Sequence, residues 1–323
     1  MSTPALPKRF LFVGKGKFAV DAIKIVKRLS PQSEIFVLTE PEPNALGLTL
    51  AKFCDRQGIA YAVADMINAP SVVEQAARFA PHFGISANNF RILKAPLINV
   101  PSEGFVNFHN GPLPRYGGLN VCSWALLNGE SQYGVTWHFI DEGIDTGDVL
   151  AQRLFAVTQD MTGLKLVQRC IKEGISVFEE LAPQLLDGSL VPRKQDFSQA
   201  SYFSRKDTPA LAHLNFDAPY AELERIVRAL DFHPFPPTFV LPSCAYEGRP
   251  LYLQRISRAP RSEGESGRIN EVHDDGIIVN CGDAALRIIG AYDDGHIFMG
   301  PSELAGAYQL KVGKFLQRWA PTD

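Results

Sequence analysis

The sequence predicts a two-domain α/β protein, with an open, doubly wound, mostly parallel sheet followed by a smaller β-rich, barrel-like domain. Three observations predict this class. The chain has 323 residues, enough for about two domains. Its first 200 residues alternate short apolar runs with segments of helical apolar spacing, which is typical of βαβ units. The remainder changes to short β-like segments separated by turns. We therefore predict domains over residues 1–200 and 201–323.

In the first domain, apolar runs and helical periodicity alternate along the chain. The predicted strands cover residues 10–13, 35–38, 61–64, 83–87, 105–108 and 135–140. The predicted helices cover residues 17–29, 48–57 and 72–80. Helices between strands allow parallel pairing, because each crossover returns the chain to the same end of the sheet.

In the second domain, a polar linker at residues 193–204 precedes one predicted helix at 220–230. The following segments are short and β-like, at residues 251–256, 276–280, 285–289 and 307–312. Asp-Asp-Gly turns separate some of them, which favours a small antiparallel domain.

Composition excludes several classes of protein. The net charge is -3, and the two domains carry 19 basic against 19 acidic residues and 13 against 16. We therefore expect no strong binding to a phosphate backbone. No apolar run approaches the roughly 20 residues of a membrane span. The five cysteines are scattered without a CxxC pair, which argues against a disulfide framework and favours a reducing cytoplasm.

A glycine loop at residues 14–19 reads GKGKFA and fits the pattern GxGxxA, with Glu40 21 residues further on. In a Rossmann-like dinucleotide site, the glycines would admit a pyrophosphate and the acid would bind the ribose. The loop is also compatible with a phosphate site for another ligand, or with a tight turn that binds nothing.

A second candidate is the pair Asn107 and His109 at the end of a predicted strand. Residues two apart in a strand share a face, and the chain then breaks at glycine and proline. We therefore expect both side chains at the carboxyl edge of the sheet, where open α/β sheets bind ligands, with His109 facing solvent. Alternatively, the pair only stabilises a turn through hydrogen bonds.

A third candidate is the loop after residue 140, which has four acids: Asp141, Glu142, Asp145 and Asp148. Their spacing fits no EF-hand, and we predict no metal site. One of them could instead reach the edge that carries His109 and orient its ring, or the loop could be a solvated turn. His138 and Trp137 lie on opposite faces of a strand, and we interpret both as structural.

Together, these segments resemble the folate-dependent formyltransferase family, which includes amino-sugar, peptide-synthetase-associated and methionyl-tRNA formyltransferases. The family's Asn-x-His pair matches Asn107 and His109, and its Asp-x-Gly loop matches Asp145 within residues 144–147. The resemblance implies that these three residues are catalytic. It also implies two walls of a pterin pocket, which are formed by Arg91, Ile92 and Leu93 and by Ile140, Asp141 and Glu142.

The resemblance implies transfer of a formyl group from 10-formyltetrahydrofolate to a primary amine. We predict that the amine belongs to an amino sugar on a nucleotide or to an aminoacyl group on a carrier protein. Five residues would contact this acceptor: Gly14, Lys15, Tyr116, Asn120 and Trp124. Residues 111–114 read GPLP where many members have SLLP, which, with the charge, disfavours tRNA as a partner.

Other functions and partners stay open at this point. The alternatives are a 10-formyltetrahydrofolate hydrolase, a methionyl-tRNA formyltransferase, an NAD-dependent dehydrogenase that uses the glycine loop, and a binding module without catalysis. We expect no membrane partner, and the sequence leaves a homo-oligomer open.

Overall fold

The computed structural model describes residues 7–42, 48–207, 212–235 and 240–319. The chain divides into two compact units. The first unit comprises residues 1–118, 132–156 and 168–202, and the second comprises residues 119–131, 157–167 and 203–323. Two short segments from the first 200 residues therefore belong to the second unit.

The first unit contains a seven-stranded mixed sheet. The strands before residue 204 are β1 (Arg9–Gly14), β2 (Glu34–Thr39), β3 (Ala60–Val63), β4 (Phe83–Ala87), β5 (Phe105–His109), β6 (Gly117–Gly118), β7 (Gln132–Phe139), β8 (Val149–Ala156) and β9 (Tyr202–Phe203). The sheet order is β3-β2-β1-β4-β5-β7-β8, and β6 pairs with β9 outside it. The first five strands in this order are parallel, and β7 and β8 are antiparallel. The predicted mostly parallel sheet is confirmed.

The predicted helices of this unit are confirmed, and further helices were not predicted. The helices before residue 190 are α1 (Gly16–Leu29), α2 (Leu50–Gln57), α3 (Pro70–Phe79), α4 (Ala95–Ile98), α5 (Val121–Leu127) and α6 (Gly163–Asp187). The helix α5 belongs to the second unit, and α6 enters the first unit at Gln168.

Glycine inside α6 allows close packing against the sheet. A Cβ atom at Gly174 would lie 2.2 Å from the ring of Phe108. The Gly174 carbonyl also accepts a hydrogen bond of 2.9 Å from Nε1 of Trp137. Trp137 is fully buried, as its interpretation as a structural residue requires. Two aromatic side chains of the sheet therefore meet the helix at a residue without a side chain.

The second unit contains an antiparallel sheet with barrel-like closure. Its remaining strands are β10 (Ser243–Tyr246), β11 (Arg249–Ala259), β12 (Ile269–His273), β13 (Gly276–Asn280), β14 (Ala285–Tyr292), β15 (Phe298–Met299) and β16 (Leu316–Arg318). The order is β12-β13-β14-β11-β10-β16, and β15 pairs with β14. The Ile269 amide donates to the Lys314 carbonyl and the Leu316 amide to the Gly267 carbonyl, each at 2.8 Å. These bonds join the region of β16, at one end of the sheet order, to the start of β12 at the other end. They confirm a barrel-like domain.

The predicted helix at 220–230 is confirmed as α7 (Tyr220–Ala229), but the β-like prediction at 307–312 is wrong. That segment is the end of α8 (Pro301–Tyr308) and the turn after it. Pro301 occupies a first-turn position, and the Glu303 carboxylate accepts a hydrogen bond from the Gly300 amide. Both features favour the start of a helix, and Leu304 and Tyr308 then share its buried face. The predicted linker contains a short 3₁₀ turn, η1 (Phe197–Gln199).

Two further features concern the cysteines and the helices. The five cysteines, all within the described ranges, are buried thiols. Among the described residues, no helix combines the length and the apolar character that crossing a bilayer requires.

Candidate active site

Asn107 and His138 face each other across neighbouring antiparallel strands. The register of β5 and β7 places these two residues opposite one another. The Asn107 Nδ2 atom lies 3.1 Å from Nε2 of His138, and Nδ1 of His138 lies 2.7 Å from the Phe139 carbonyl oxygen. A carbonyl only accepts, so Nδ1 donates to it, and in the neutral ring Nε2 then accepts from Asn107. His138 therefore orients the Asn107 amide, a contact that was not predicted from the sequence.

The ring of His109 lies between two oxygen atoms. Its Nε2 is 2.6 Å from the Tyr116 carbonyl oxygen, and its Nδ1 is 3.5 Å from Oδ2 of Asp145. Both neighbours accept hydrogen bonds, so a protonated ring can direct one N–H at each. His109 is only 5% exposed. The expectation of a solvent-facing histidine is therefore wrong, because the loop that follows β5 folds back over the ring.

Asp145 lies between the two histidines. Its Oδ1 is 3.6 Å from Nε2 of His138, and its Oδ2 accepts a 2.8 Å hydrogen bond from the Gly118 amide. Burial raises the pKa of Asp145, but the charge of His109, the neighbouring ring of His138 and the hydrogen bond from the Gly118 amide outweigh it. The resulting pKa lies well below the ordinary aspartate value. The carboxylate is therefore ionised across the physiological range.

The backbone of Asp145 is held in a left-handed conformation, with φ at +58°. Nε2 of Gln195 donates hydrogen bonds of 2.9 and 2.7 Å to the carbonyl oxygens of Asp145 and Gly147. Such a backbone persists where the surroundings hold it in place. Gln195, which was not predicted as a site residue, therefore fixes the loop that carries the carboxylate.

The glycine loop at the end of β1 is tightly packed and charged. A Cβ atom at Gly14 would lie 1.9 Å from the Ala87 carbonyl oxygen. Nζ of Lys15 lies 3.5 Å from Glu40, which also pairs with Arg91. Burial raises the pKa of Glu40, but the Arg91 hydrogen bond and the Lys15 charge produce a net lowering. Lys15 is therefore already paired with an acid, and its predicted contact with the acceptor stays a prediction.

The first predicted pterin segment follows β4. The main chain of Arg91 accepts from and donates to the Asn89 side chain, and the Ile92 carbonyl accepts from Asn68. Leu93 is buried in an apolar cluster with Leu97, whereas Ile92 is 67% exposed. The segment therefore has a fixed main chain and presents an apolar side chain at its surface.

The second predicted pterin segment follows β7. Ile140 packs against the same apolar cluster that contains Leu93, so the structure brings the two segments together. The Asp141 carboxylate accepts hydrogen bonds from the Gly143 amide and the Thr146 hydroxyl, and Glu142 is exposed. The exposed Ile92 side chain of the first segment and the hydrogen-bonded main chains of both segments are compatible with a planar ring ligand. Their contact with folate stays a prediction.

The remaining predicted acceptor residues lie in different units. Tyr116 is buried in the first unit with φ at +59°. Asn120 precedes α5 in the second unit with φ at +54°, and Trp124 stacks on Phe203 with ring centroids 4.7 Å apart. Among the described residues, no group of three or more His, Cys, Asp or Glu is arranged to hold a metal ion.

Comparison with known proteins identifies the family. Residues 9–181 match the family described as formyl transferase, and residues 207–308 match the formyl transferase C-terminal domain.

The chain belongs to the formyl transferase family.

Methionyl-tRNA formyltransferases are among the relatives that match along nearly the whole chain. The enzyme of Caldanaerobacter subterraneus subsp. tengcongensis is 26% identical over 96% of this chain and all of its own length. The enzyme of Myxococcus xanthus is 29% identical over 94% of this chain and 96% of its own.

A solved structure shares the fold. The N-formyltransferase of Helicobacter canadensis, in complex with folinic acid and dTDP-3-aminofucose, has a TM-score of 0.68 at 20% identity. The match covers 88% of this chain and 99% of that one. This formyl transferase is thus an enzyme that uses formyltetrahydrofolate as its donor. Family membership leaves the dehydrogenase hypothesis without support.

Proposed function

We propose that this formyl transferase formylates the amino group of methionyl-tRNA. The observation that carries the proposal is the match to methionyl-tRNA formyltransferases along 94–96% of the chain, through the C-terminal barrel. This match supports the tRNA alternative better than the acceptors predicted first, an amino sugar or a carrier-bound aminoacyl group.

The net negative charge of the C-terminal domain disfavours tRNA binding, but some of its basic residues are clustered. Lys311, Lys314 and Arg249 lie beside the turn that joins β10 and β11. The Lys311 amide donates to the hydroxyl of Tyr246, and Lys314 pairs with Glu247 at 3.2 Å. Three basic residues and one acidic residue form this turn, which we call the basic turn, and Asp293 and Asp294 act on Tyr308 beside Arg249. Cations that neutralise phosphates supply much of the affinity for nucleic acid.

The proposed roles of the site residues follow from their atoms. Formyltetrahydrofolate, when bound, supplies the formyl group. Asn107 would donate from Nδ2 to the oxygen that gains negative charge during transfer. His109 would take a proton from the attacking amine and return one to the tetrahydrofolate nitrogen that leaves the formyl carbon, and Asp145 would hold the ring and stabilise its protonated form. His138 would keep the Asn107 amide oriented, because its Nε2 accepts from that amide.

A turnover screen tests the proposal. The purified enzyme is supplied with 10-formyltetrahydrofolate and, separately, with methionyl-tRNA, a dTDP-linked amino sugar and an aminoacyl carrier protein. Mass spectrometry then measures the gain of one formyl group. We expect the highest kcat/KM with methionyl-tRNA. A higher value with another acceptor would overturn the proposal, and formate release without any amine would favour the hydrolase alternative.

A charge-reversal pair sharpens the screen. Lys311→Glu should raise the KM for methionyl-tRNA by roughly threefold to tenfold, because it removes a cation from the basic turn and adds an anion. Lys172→Glu is the matched control, because it makes the same change at an exposed position of α6. Equal KM values in the two variants would contradict a role of the basic turn in tRNA binding.

An amino sugar is the second candidate acceptor. The Helicobacter canadensis structure contains such a sugar, and the GPLP turn at residues 111–114 is the feature that favours it here. The same screen decides between the two acceptors.

A further inference from the structure

A β-bulge in the second unit buries a polar side chain. In the pairing of β11 with β14, Leu253 lies opposite Ala291 and Arg255 lies opposite Gly290, which leaves Gln254 as an extra residue. Successive strand residues normally alternate between faces, yet Leu253 and Gln254 are both buried, Gln254 to 5% exposure. Bulges commonly re-aim a side chain toward a functional site.

The amide of Gln254 is satisfied at only one of its two ends. Its Nε2 donates a 2.8 Å hydrogen bond to Oδ1 of Asp231. This bond fixes the orientation of the amide, because a carboxylate oxygen accepts and would repel the amide oxygen. The Oε1 atom of Gln254 is buried and has no hydrogen-bond partner in the part of the chain that the structure describes. An acceptor that is buried in this way is costly unless something donates to it.

Gln254 lines a cavity that we call the β11 cavity, together with Asp231, His233, Phe235 and Tyr292. The cavity has a volume of about 10 Å³, which is room for a single group the size of a water molecule. Oδ1 of Asp231 also accepts from the His233 amide at 3.0 Å. Burial and the Asp231 charge both raise the pKa of Tyr292, so the carboxylate makes the surroundings of the cavity negative.

Aromatic rings lie next to the β11 cavity and its Asp231 carboxylate. Phe235 lines it and is 54% exposed. The ring of Phe298, which is also exposed, lies 5.0 Å from the ring of His233 and 5.5 Å from that of Tyr292. Exposed aromatic rings next to a carboxylate can cover the aliphatic part of a cationic ligand.

We propose that the β11 cavity binds the protonated primary amine of an alkylammonium ligand. An ammonium head has three N–H donors and one heavy atom, which suits the single-group volume, the vacant Gln254 oxygen and the Asp231 carboxylate. Its alkyl stem would leave past Phe235. An anion would be repelled by Asp231, and a guanidinium group exceeds the volume. The cavity shares no residue with the site proposed for catalysis, so the inference does not depend on the acceptor.

Nuclear magnetic resonance of the full-length protein tests the site. The probe is n-butylammonium chloride, and the signal is the ¹⁵N-labelled side-chain amide of Gln254, assigned by its loss in Gln254→Met. The comparison probes are 1-butanol, which has the same chain without charge, and potassium chloride, which has the charge without N–H donors. Ionic strength is held constant in all titrations.

We expect a saturable shift with n-butylammonium and none with either comparison probe. Asp231→Asn should weaken the affinity by at least roughly tenfold, because it removes the charge that the ammonium group faces. Glu265→Gln is the matched control: it removes one negative charge at an exposed position of the same unit and should leave the affinity unchanged.

Three results would overturn the proposal. One is the absence of a saturable shift, which would leave the cavity with a bound water only. Another is an equal response to potassium, because N–H donors would then be irrelevant. The last is an equal loss of affinity in Asp231→Asn and Glu265→Gln. Thermal unfolding of each variant establishes that it folds.

Discussion

Nε2 of His109 lies 2.6 Å from the carbonyl oxygen of Tyr116. Because Nδ1 faces Asp145, Nε2 is the ring nitrogen that remains to exchange a proton with a substrate. This atom is already hydrogen-bonded to the enzyme's own main chain. Tyr116 holds this position with a positive φ, in the loop that follows the Asn107–His109 strand. For Nε2 to act as a base, this bond must lengthen or break when substrates bind.

The first prediction separates the charge of Asp145 from its backbone. Asp145→Asn should lower kcat by roughly 10² to 10⁴-fold, the range typical of acid–base catalysis, because it removes the carboxylate beside His109. Asparagine tolerates the left-handed backbone of this position, so the variant should keep its fold. Steady-state kinetics measures kcat, and circular dichroism checks the fold. Activity within threefold of the parent would contradict the role of Asp145.

The second prediction concerns pH and stability. The pKa of Asp145 is lowered in the folded protein, so its carboxylate stabilises the fold above the unfolded value of about 3.9. That contribution is lost progressively as the pH falls below about 5. In urea unfolding, the parent should therefore exceed Asp145→Asn in stability at pH 7, and the difference should shrink toward pH 3. A difference that does not change with pH would contradict this.

The third prediction concerns His138, which contacts both Asn107 and Asp145. His138→Ala should lower kcat by about tenfold to a hundredfold, because the Asn107 amide loses the acceptor that orients it. The KM for folate should change little, since His138 lies outside both predicted pterin segments. The control is His273→Ala, at an exposed ring in the barrel. If kcat stayed at the parental value in both variants, His138 would be structural only.

The fourth prediction concerns Gln195, whose side-chain amide holds the loop that carries Asp145. Gln195→Ala should lower kcat by about fivefold or more, because it removes both hydrogen bonds that hold the Asp145 loop. Gln199→Ala removes an exposed hydrogen bond to Asp196 nearby and should leave kcat unchanged. The Gln195→Glu variant cannot donate to the two carbonyls when ionised and should resemble Gln195→Ala. A parental kcat in Gln195→Glu would contradict the role of these two hydrogen bonds.

The fifth prediction contrasts two helical glycines. Gly174→Ala should destabilise the protein by about 1–3 kcal/mol, because the new methyl group would overlap the Phe108 ring. Gly306→Ala in α8 meets no atom within 4 Å and should stabilise by up to about 1 kcal/mol, since alanine favours the helix. Urea unfolding measures both changes. A stabilising Gly174→Ala would show that the helix can shift away from the sheet.

Local patterns were sufficient to find six of the seven strands of the first sheet, all except β8, and the Asn107–His109 pair, because alternation along one strand decides which side chains share a face. The contact between His138 and Asn107 was not predicted because it comes from the register between two antiparallel strands, which no local pattern records. The long helix α6 was not predicted, since Gly174 and Pro183 interrupt its sequence. Gln195 lies in a segment that reads as a polar linker, and only the folded chain brings it to Asp145.

Barrel closure depends on a few bonds near the end of the described chain, where residues 313–316 join residues 267–269. Without that segment, β10 would present a row of unpaired amides and carbonyls, and Ile269 at the start of β12 would lose its partners. Open edges of this kind recruit strands from other molecules. A chain shortened before Gly313 would therefore tend to self-associate and precipitate even with its catalytic residues intact. The closing segment protects solubility, a property that an activity assay alone would not reveal.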